Sequence, residues 1–171
     1  APPGRSIMDR PVSVIIIAVV FLLLVLAITW GWSRRKKSQT DVPQPAKPHM
    51  GIKPVAEPVE GSYVSTTLAG HPLERVAVHG LGIRTTGEIV VTDGGVIMDL
   101  AGREDFLIPR RDIVSVDTTA GMIGKFVERG GIVRITWRLG ETLVDTGFRA
   151  RYAASTTPTV DRIREMIEEA Q

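Results

Sequence analysis

The 171-residue chain has no cysteine, only three histidines and 5% aromatic residues. Without cysteine there is neither a disulfide framework nor a thiolate metal site. His49, His71 and His79 are too few and too scattered for a histidine-based site, so no metal is expected. Also missing are a GxSxG elbow, an HExxH pair and any convincing pair of carboxylates; Asp99, Asp105 and Asp117 read as outward or turn positions. The stretch from Gly121 to Lys125 has glycine and lysine but no phosphate loop, because Thr119 stands where the first glycine is needed and Phe126 follows the lysine. No catalytic residue, cofactor or enzyme activity is expected from these parts.

The formal net charge of +2 conceals an uneven distribution. Residues 1–58 carry 8 Lys and Arg against 3 acids, and residues 59–171 carry 13 against 16. The remainder of the chain is thus mildly acidic, the opposite of what a nucleic-acid-reading surface needs. Nucleic acid is not an expected partner. Arginine outnumbers lysine 16 to 5, a bias that GC-rich coding often produces.

Eighteen of the 21 residues from Val12 to Trp32 are apolar and none is charged. At about 1.5 Å per residue, such a helix matches the ~30 Å hydrocarbon core of a bilayer. A cleaved signal peptide has a shorter apolar run followed by small residues. Here Trp30 and Trp32 close the run, as interfacial aromatics do, and Arg34, Arg35, Lys36 and Lys37 follow. Four positive charges after the span, against a net +1 before it, put the N-terminus outside and the remainder in the cytoplasm of a plasma-membrane protein. Residues 1–11 form a flank with no assigned structure.

Residues 33–60 read as a basic and then proline-rich linker, with prolines at 43, 45, 48, 54 and 58. Proline density of this kind predicts a stiff polar spacer at about 3.1 Å per residue, up to roughly 70 Å over residues 38–61. From residue 61 short apolar runs alternate with Gly and Asp turns. Strands are expected at 63–68, 75–78, 87–92, 96–100, 106–109, 113–117, 132–139 and 142–149. Hairpin turns are expected at Asp93-Gly94-Gly95, Ala101-Gly102, Gly130-Gly131 and Leu139-Gly140-Glu141. Val133, Ile135, Trp137 and Leu139 point one way and Arg134, Thr136 and Arg138 the other; Val96, Met98 and Leu100 repeat the scheme, and Phe106 and Ile108 extend it. Val160, Ile163 and Ile167, with Met166 beside them, follow helical spacing, giving an amphipathic helix over 158–170 with Thr157 as cap. The predicted domain is a small antiparallel barrel or sandwich closed by that helix.

Strands followed by one terminal helix, with Phe106 to Asp117 (FLIPRRDIVSVD) in mid-domain, resemble the bacterial pleckstrin-homology-like domains. The layout with the span resembles actinobacterial single-pass membrane proteins carrying such a domain, some loosely labelled transporters or export proteins, whose genes often lie among pyrimidine-biosynthesis genes. Lipid-binding relatives hold phosphoinositide headgroups with a basic cluster between the first two strands. The corresponding stretch from Ala69 to Arg75 offers only Arg75 and His71. Arg110 and Arg111 are the only adjacent basic pair in the domain, read as a solvated edge rather than an anion site. Met122, Ile123, Lys125 and Phe126 either plug the barrel or form a partner-contact patch. Three functions are consistent with these features: a membrane-tethered module docking a protein partner, an anionic-lipid or membrane-surface binder, and an accessory subunit of a transport or envelope complex. One helix cannot form a transport path alone.

Overall fold

The computed structural model describes residues 9–122, 124–126 and 130–169, with side chains for all of these except 9, 10, 31–40, 125 and 126. It divides after Asp41 into two units.

The first unit is helix α1, Asp9–Thr40. Pro11 falls in its first turn, where no intrahelical N–H is required of it. Pro11–Trp30 is the stretch long and apolar enough to cross a membrane, and its side chains lie exposed along the whole length. The hydroxyl of Thr29 donates to the Leu26 carbonyl at 3.0 Å, so the last polar side chain of the run needs no water. The helix outlasts the expected span at both ends.

The second unit begins at Val42 and holds all the strands. These are β1 (Val59–Leu68), β2 (Thr85–Thr92), β3 (Gly95–Leu100), β4 (Phe106–Pro109), β5 (Ile113–Thr119), β6 (Gly121–Met122), β7 (Lys125–Phe126), β8 (Ile132–Leu139) and β9 (Thr142–Ala150), followed by helix α2 (Thr156–Glu168). Seven strands form one antiparallel sheet in the order β4-β3-β2-β1-β9-β8-β5, and β6 and β7 form a separate ribbon. Strands β4 and β5 remain edges, so the sheet is open and is not a hydrogen-bonded barrel. Helix α2 lies across β5, β8 and β2, burying Val160, Ile163 and Met166 between the two halves of the sheet.

The alternation read from the sequence sets the core. Val133, Ile135, Trp137, Leu139, Val96, Met98, Leu100, Phe106 and Ile108 all face inward. Two-residue turns at Asp93-Gly94 and Gly140-Glu141 join β2 to β3 and β8 to β9; Gly140 has φ +65°, a conformation costly for residues with a Cβ. Gly130-Gly131 is not a hairpin, because β8 pairs with β5 across the intervening ribbon. The expected strand at 75–78 is absent. Arg75 makes one isolated bridge to Thr67, and Val76 is buried and tied by its N–H to the Thr66 carbonyl at 2.9 Å before a 3-10 turn at Val78–Gly80. Helix α2 starts at Thr156, two residues before the expected start, because a 3-10 turn at Ala153–Ser155 leads into it, and no side-chain cap is made.

Residues 42–58 are not a free spacer. Val42 is buried in the main core and Pro45 is buried as well. The Leu107 N–H donates to the Ala46 carbonyl at 2.7 Å, the Val55 N–H to Val91 at 2.9 Å and the Asp93 N–H to Lys53 at 3.1 Å. The segment is a strap across β4 and the β2–β3 turn, and the folded unit starts near residue 42, not 61. Proline lacks a donor but keeps its carbonyl, and the residues between the prolines supply the remaining backbone partners.

Candidate functional site

The loops β1–β2 (69–84), β3–β4 (101–105) and β8–β9 (140–141) gather at one end of the sheet, the end where the resemblance implies a ligand. A hydrogen-bonded chain runs through the core beneath this mouth. Trp137 Nε1–H donates to Thr146 Oγ1 at 2.8 Å, and Thr146 Oγ1 lies 2.8 Å from Thr66 Oγ1, which lies 2.6 Å from Tyr63 Oη. Tyr63 O–H in turn donates to the Leu81 carbonyl at 2.6 Å. Indole can only donate and the carbonyl can only accept, so each hydroxyl passes its proton one way along the chain and every member is satisfied. Burial pushes the Tyr63 hydroxyl well above the ordinary tyrosine range, since ionisation there would be desolvated. The chain fixes the mouth; nothing in it reaches solvent to react.

The strap fills much of the mouth. His79, at φ +55°, donates from Nε2 to the Val42 carbonyl at 2.8 Å, and Pro43 lies against Gly140, where a Cβ would collide with its ring. Arg103 is laid over Gly80 and donates from Nη1 to the Ile83 carbonyl at 3.3 Å. Glu104 accepts from Lys47 Nζ at 3.0 Å and from Gln44 Nε2 at 3.3 Å. What is left open is a cleft of about 250 Å³ bounded by Tyr63, His79, Leu81, Arg103 and Phe106. His71 bonds within its own turn, through Nδ1 to the Ala69 carbonyl at 3.1 Å, and Arg75 Nη1 reaches the Gly82 carbonyl at 3.5 Å. His71, Arg75, His79 and Arg103 of this end therefore each bond to a main-chain carbonyl.

The ribbon β6–β7 holds the other candidate residues. Met122 is buried with Val64 and Ile132 in a second, smaller core, and its sulfur occupies the space a side chain at Gly147 would need. Alternation turns Val64 to the face opposite Tyr63, and the bulge of β1 between Tyr63 and Ser65 shifts the phase so that Thr66 returns to the main core. Met122 thus packs as a plug on the opposite face of the sheet and is not exposed for a partner. Ile123 lies outside the described residues, as do the side chains of Lys125 and Phe126. In the first unit Trp30 is exposed at the close of the apolar stretch. The helix backbone runs on through Trp32, Arg34, Arg35, Lys36 and Lys37, whose side chains lie outside the described set.

Two grooves hold more than one arginine. The first, about 600 Å³, lies over β1, β2 and β9, with Gly61 paired to Gly87 in its floor and Arg84, Arg149, Arg151, Glu60 and Glu88 around it. Arg151 meets Glu60 at 2.8 Å, and that bond raises the guanidinium pKa above its usual value. Cations and acids alternate, so the groove has no dominant sign. The second contains Arg110 and Arg111. Arg111 is solvated and 3.9 Å from Asp112, whereas Arg110 is partly buried. Asp117 pairs with Arg134 at 2.6 Å, Asp105 accepts the Leu100 N–H at 3.0 Å and Asp99 is exposed. No group of three or more His, Cys, Asp or Glu suited to a metal occurs among the described residues.

Val42, His79 and Arg103 were not singled out in the sequence. The available signals were slight: one apolar residue in a polar run, and a His-Gly pair at a turn.

A search of curated proteins gives no match. The family model described as Bacterial PH domain-like matches residues 39–164, which include the strap, every strand and most of α2. Strap, open seven-stranded sheet and covering helix together form one PH-like module, and the chain belongs to the Bacterial PH domain-like family.

Proposed function

We propose that this chain is a single-pass membrane protein, anchored by Pro11–Trp30, whose PH-like domain works in the cytoplasm as a non-catalytic module that docks a protein partner. The observation that carries this reading is the occupied mouth. Val42 and His79 are bonded to each other across it, and Arg75 and Arg103 each donate to a main-chain carbonyl. A phosphoinositide cradle needs several convergent, solvent-facing cations, and this end does not offer them. The uncharged apolar helix and the four basic residues after it support the anchor and its orientation. With residues 42–58 bound to the domain, only residues 31–41 lie between the apolar stretch and the folded unit, in place of a linker over 33–60.

The main core lies entirely between Val42 and Met166, so the Val42–Gln171 fragment is a suitable test object. It should fail to co-sediment with vesicles containing 30% anionic lipid, while photo-crosslinkers on the domain surface of the full chain in native membranes capture a protein. Salt-sensitive vesicle binding by the fragment would favour the lipid-binding alternative instead.

A further inference from the structure

The Arg110 groove differs in kind from the rest of the charged surface. It holds about 580 Å³ and is bounded by Ala46 and His49 of the strap, the β2–β3 turn, β4, Ile113 and Ile167 of α2. Arg110 is fixed at the backbone, its N–H donating to the Gly94 carbonyl at 3.0 Å. Its side-chain Nε and Nη2 are both buried without an acceptor. Leaving a buried donor unpaired is costly, and more so when the group is charged. Arg151 has Glu60 and Arg134 has Asp117; no carboxylate lines the Arg110 groove among the described residues. Arg111 and His49 add basic groups at its rim, and the last turn of α2 brings partial negative charge that offsets some of the buried cation without giving the two N–H groups an acceptor.

Nε and Nη2 form one edge of the guanidinium, the edge that binds two coplanar oxygens side-on. Leu107, Pro109, Ile113 and Ile167 give the groove aliphatic walls. We propose that this groove binds a carboxylate carried on an aliphatic group, with Arg110 as the bidentate partner. A carboxylate fits better than a phosphate: the planar edge supplies two donors, Asp112 beside Arg111 opposes a second negative charge, and the walls reward a hydrocarbon body. In the unliganded position both nitrogens are closed to water, so binding turns the guanidinium into the groove. The same chemistry is presented by a peptide ending in Leu, Ile or Val and by a free aliphatic acid. The inference refines the interaction-module reading by naming what such a partner would present, but its test needs no knowledge of the partner or of vesicle binding.

The full chain in nanodiscs of uncharged lipid is titrated calorimetrically with isocaproate, isocaproamide, inorganic phosphate, and an acetylated tripeptide ending in leucine as free acid or amide. Binding by a carboxylate, at least tenfold weaker for the matching amide and for phosphate, is expected. A peptide acid at least tenfold tighter than isocaproate identifies a protein tail as the source; equal affinities identify a small acid. Arg110→Gln should weaken binding at least tenfold and Arg111→Gln no more than about threefold. Arg110→Lys keeps the charge but loses the fork, and should also lose tenfold, which guards against a folding defect in the glutamine variant. Silence from both acids, equal binding of acid and amide, preference for phosphate, or unchanged binding by Arg110→Lys would each overturn the proposal.

Discussion

The two edges of the seven-stranded sheet are protected by different means. At β4 the cover is main chain, Ala46 bridging Leu107, and the same strap goes on to bond Val91 of β2 and Asp93 of the β2–β3 turn through Val55 and Lys53 and buries Val42 in the core. At β5 the cover is helix α2, whose Ile163 and neighbours fill the core while Arg164 Nη2 reaches the Val116 carbonyl at 3.4 Å. Unpaired strand edges template aggregation, so both need cover. Main-chain cover satisfies the edge's hydrogen bonds directly and makes the strap part of the folding unit, whereas helix cover leaves most edge groups to solvent and contributes through apolar burial.

That difference predicts an order of effects on unfolding of the Val42–Gln171 domain. Val42→Asp places an unpaired carboxylate in the core and detaches the strap, and should cost about 3–5 kcal/mol by urea denaturation. Ile163→Ala, a large-to-small change at a fully buried position under α2, should cost about 3 kcal/mol. If Val42→Asp costs less than Ile163→Ala, the strap is an appendage rather than an edge strand. A third effect concerns the hydroxyl chain under the mouth. Tyr63 has its pKa raised in the folded state, so the stability it confers is complete below the unfolded tyrosine value of about 10 and is lost as pH climbs from there. Stability should fall by up to about 1.4 kcal/mol per pH unit between pH 10 and 12, and Tyr63→Phe should remove that component of the slope. The smallest effect is at the β5 edge, where Arg164→Ala gives up a long bond to Val116 and a solvent-exposed ion pair with Asp161 and should cost about 0.5 kcal/mol.

The strands were legible because period-two alternation is a local property: β4 and β8 start and end where Phe106, Pro109, Ile132 and Leu139 placed them. The C-terminal helix was legible for the same reason, from Val160 and Ile163. The strap was not, because composition averages over a window, and one buried valine with a few backbone bonds to distant strands leaves almost no trace in that average. The β1 bulge was hidden too: it puts Thr66 on the same face as Tyr63 by inserting a residue that no local pattern marks, while Val64 faces the second core. Of the candidate site, the Arg110-Arg111 pair was visible but its asymmetry was not: whether a guanidinium finds an acceptor depends on α2 and the strap, both far away in sequence.

Membrane topology is the claim on which the functional account turns, and a chain without cysteine permits a clean measurement. A single cysteine at Gln171 should resist a membrane-impermeant maleimide in intact cells, react once the cells are permeabilised, and stay in the membrane pellet after alkaline carbonate extraction. Labelling in intact cells, or release into the carbonate supernatant, would contradict an anchored protein with its PH-like domain in the cytoplasm.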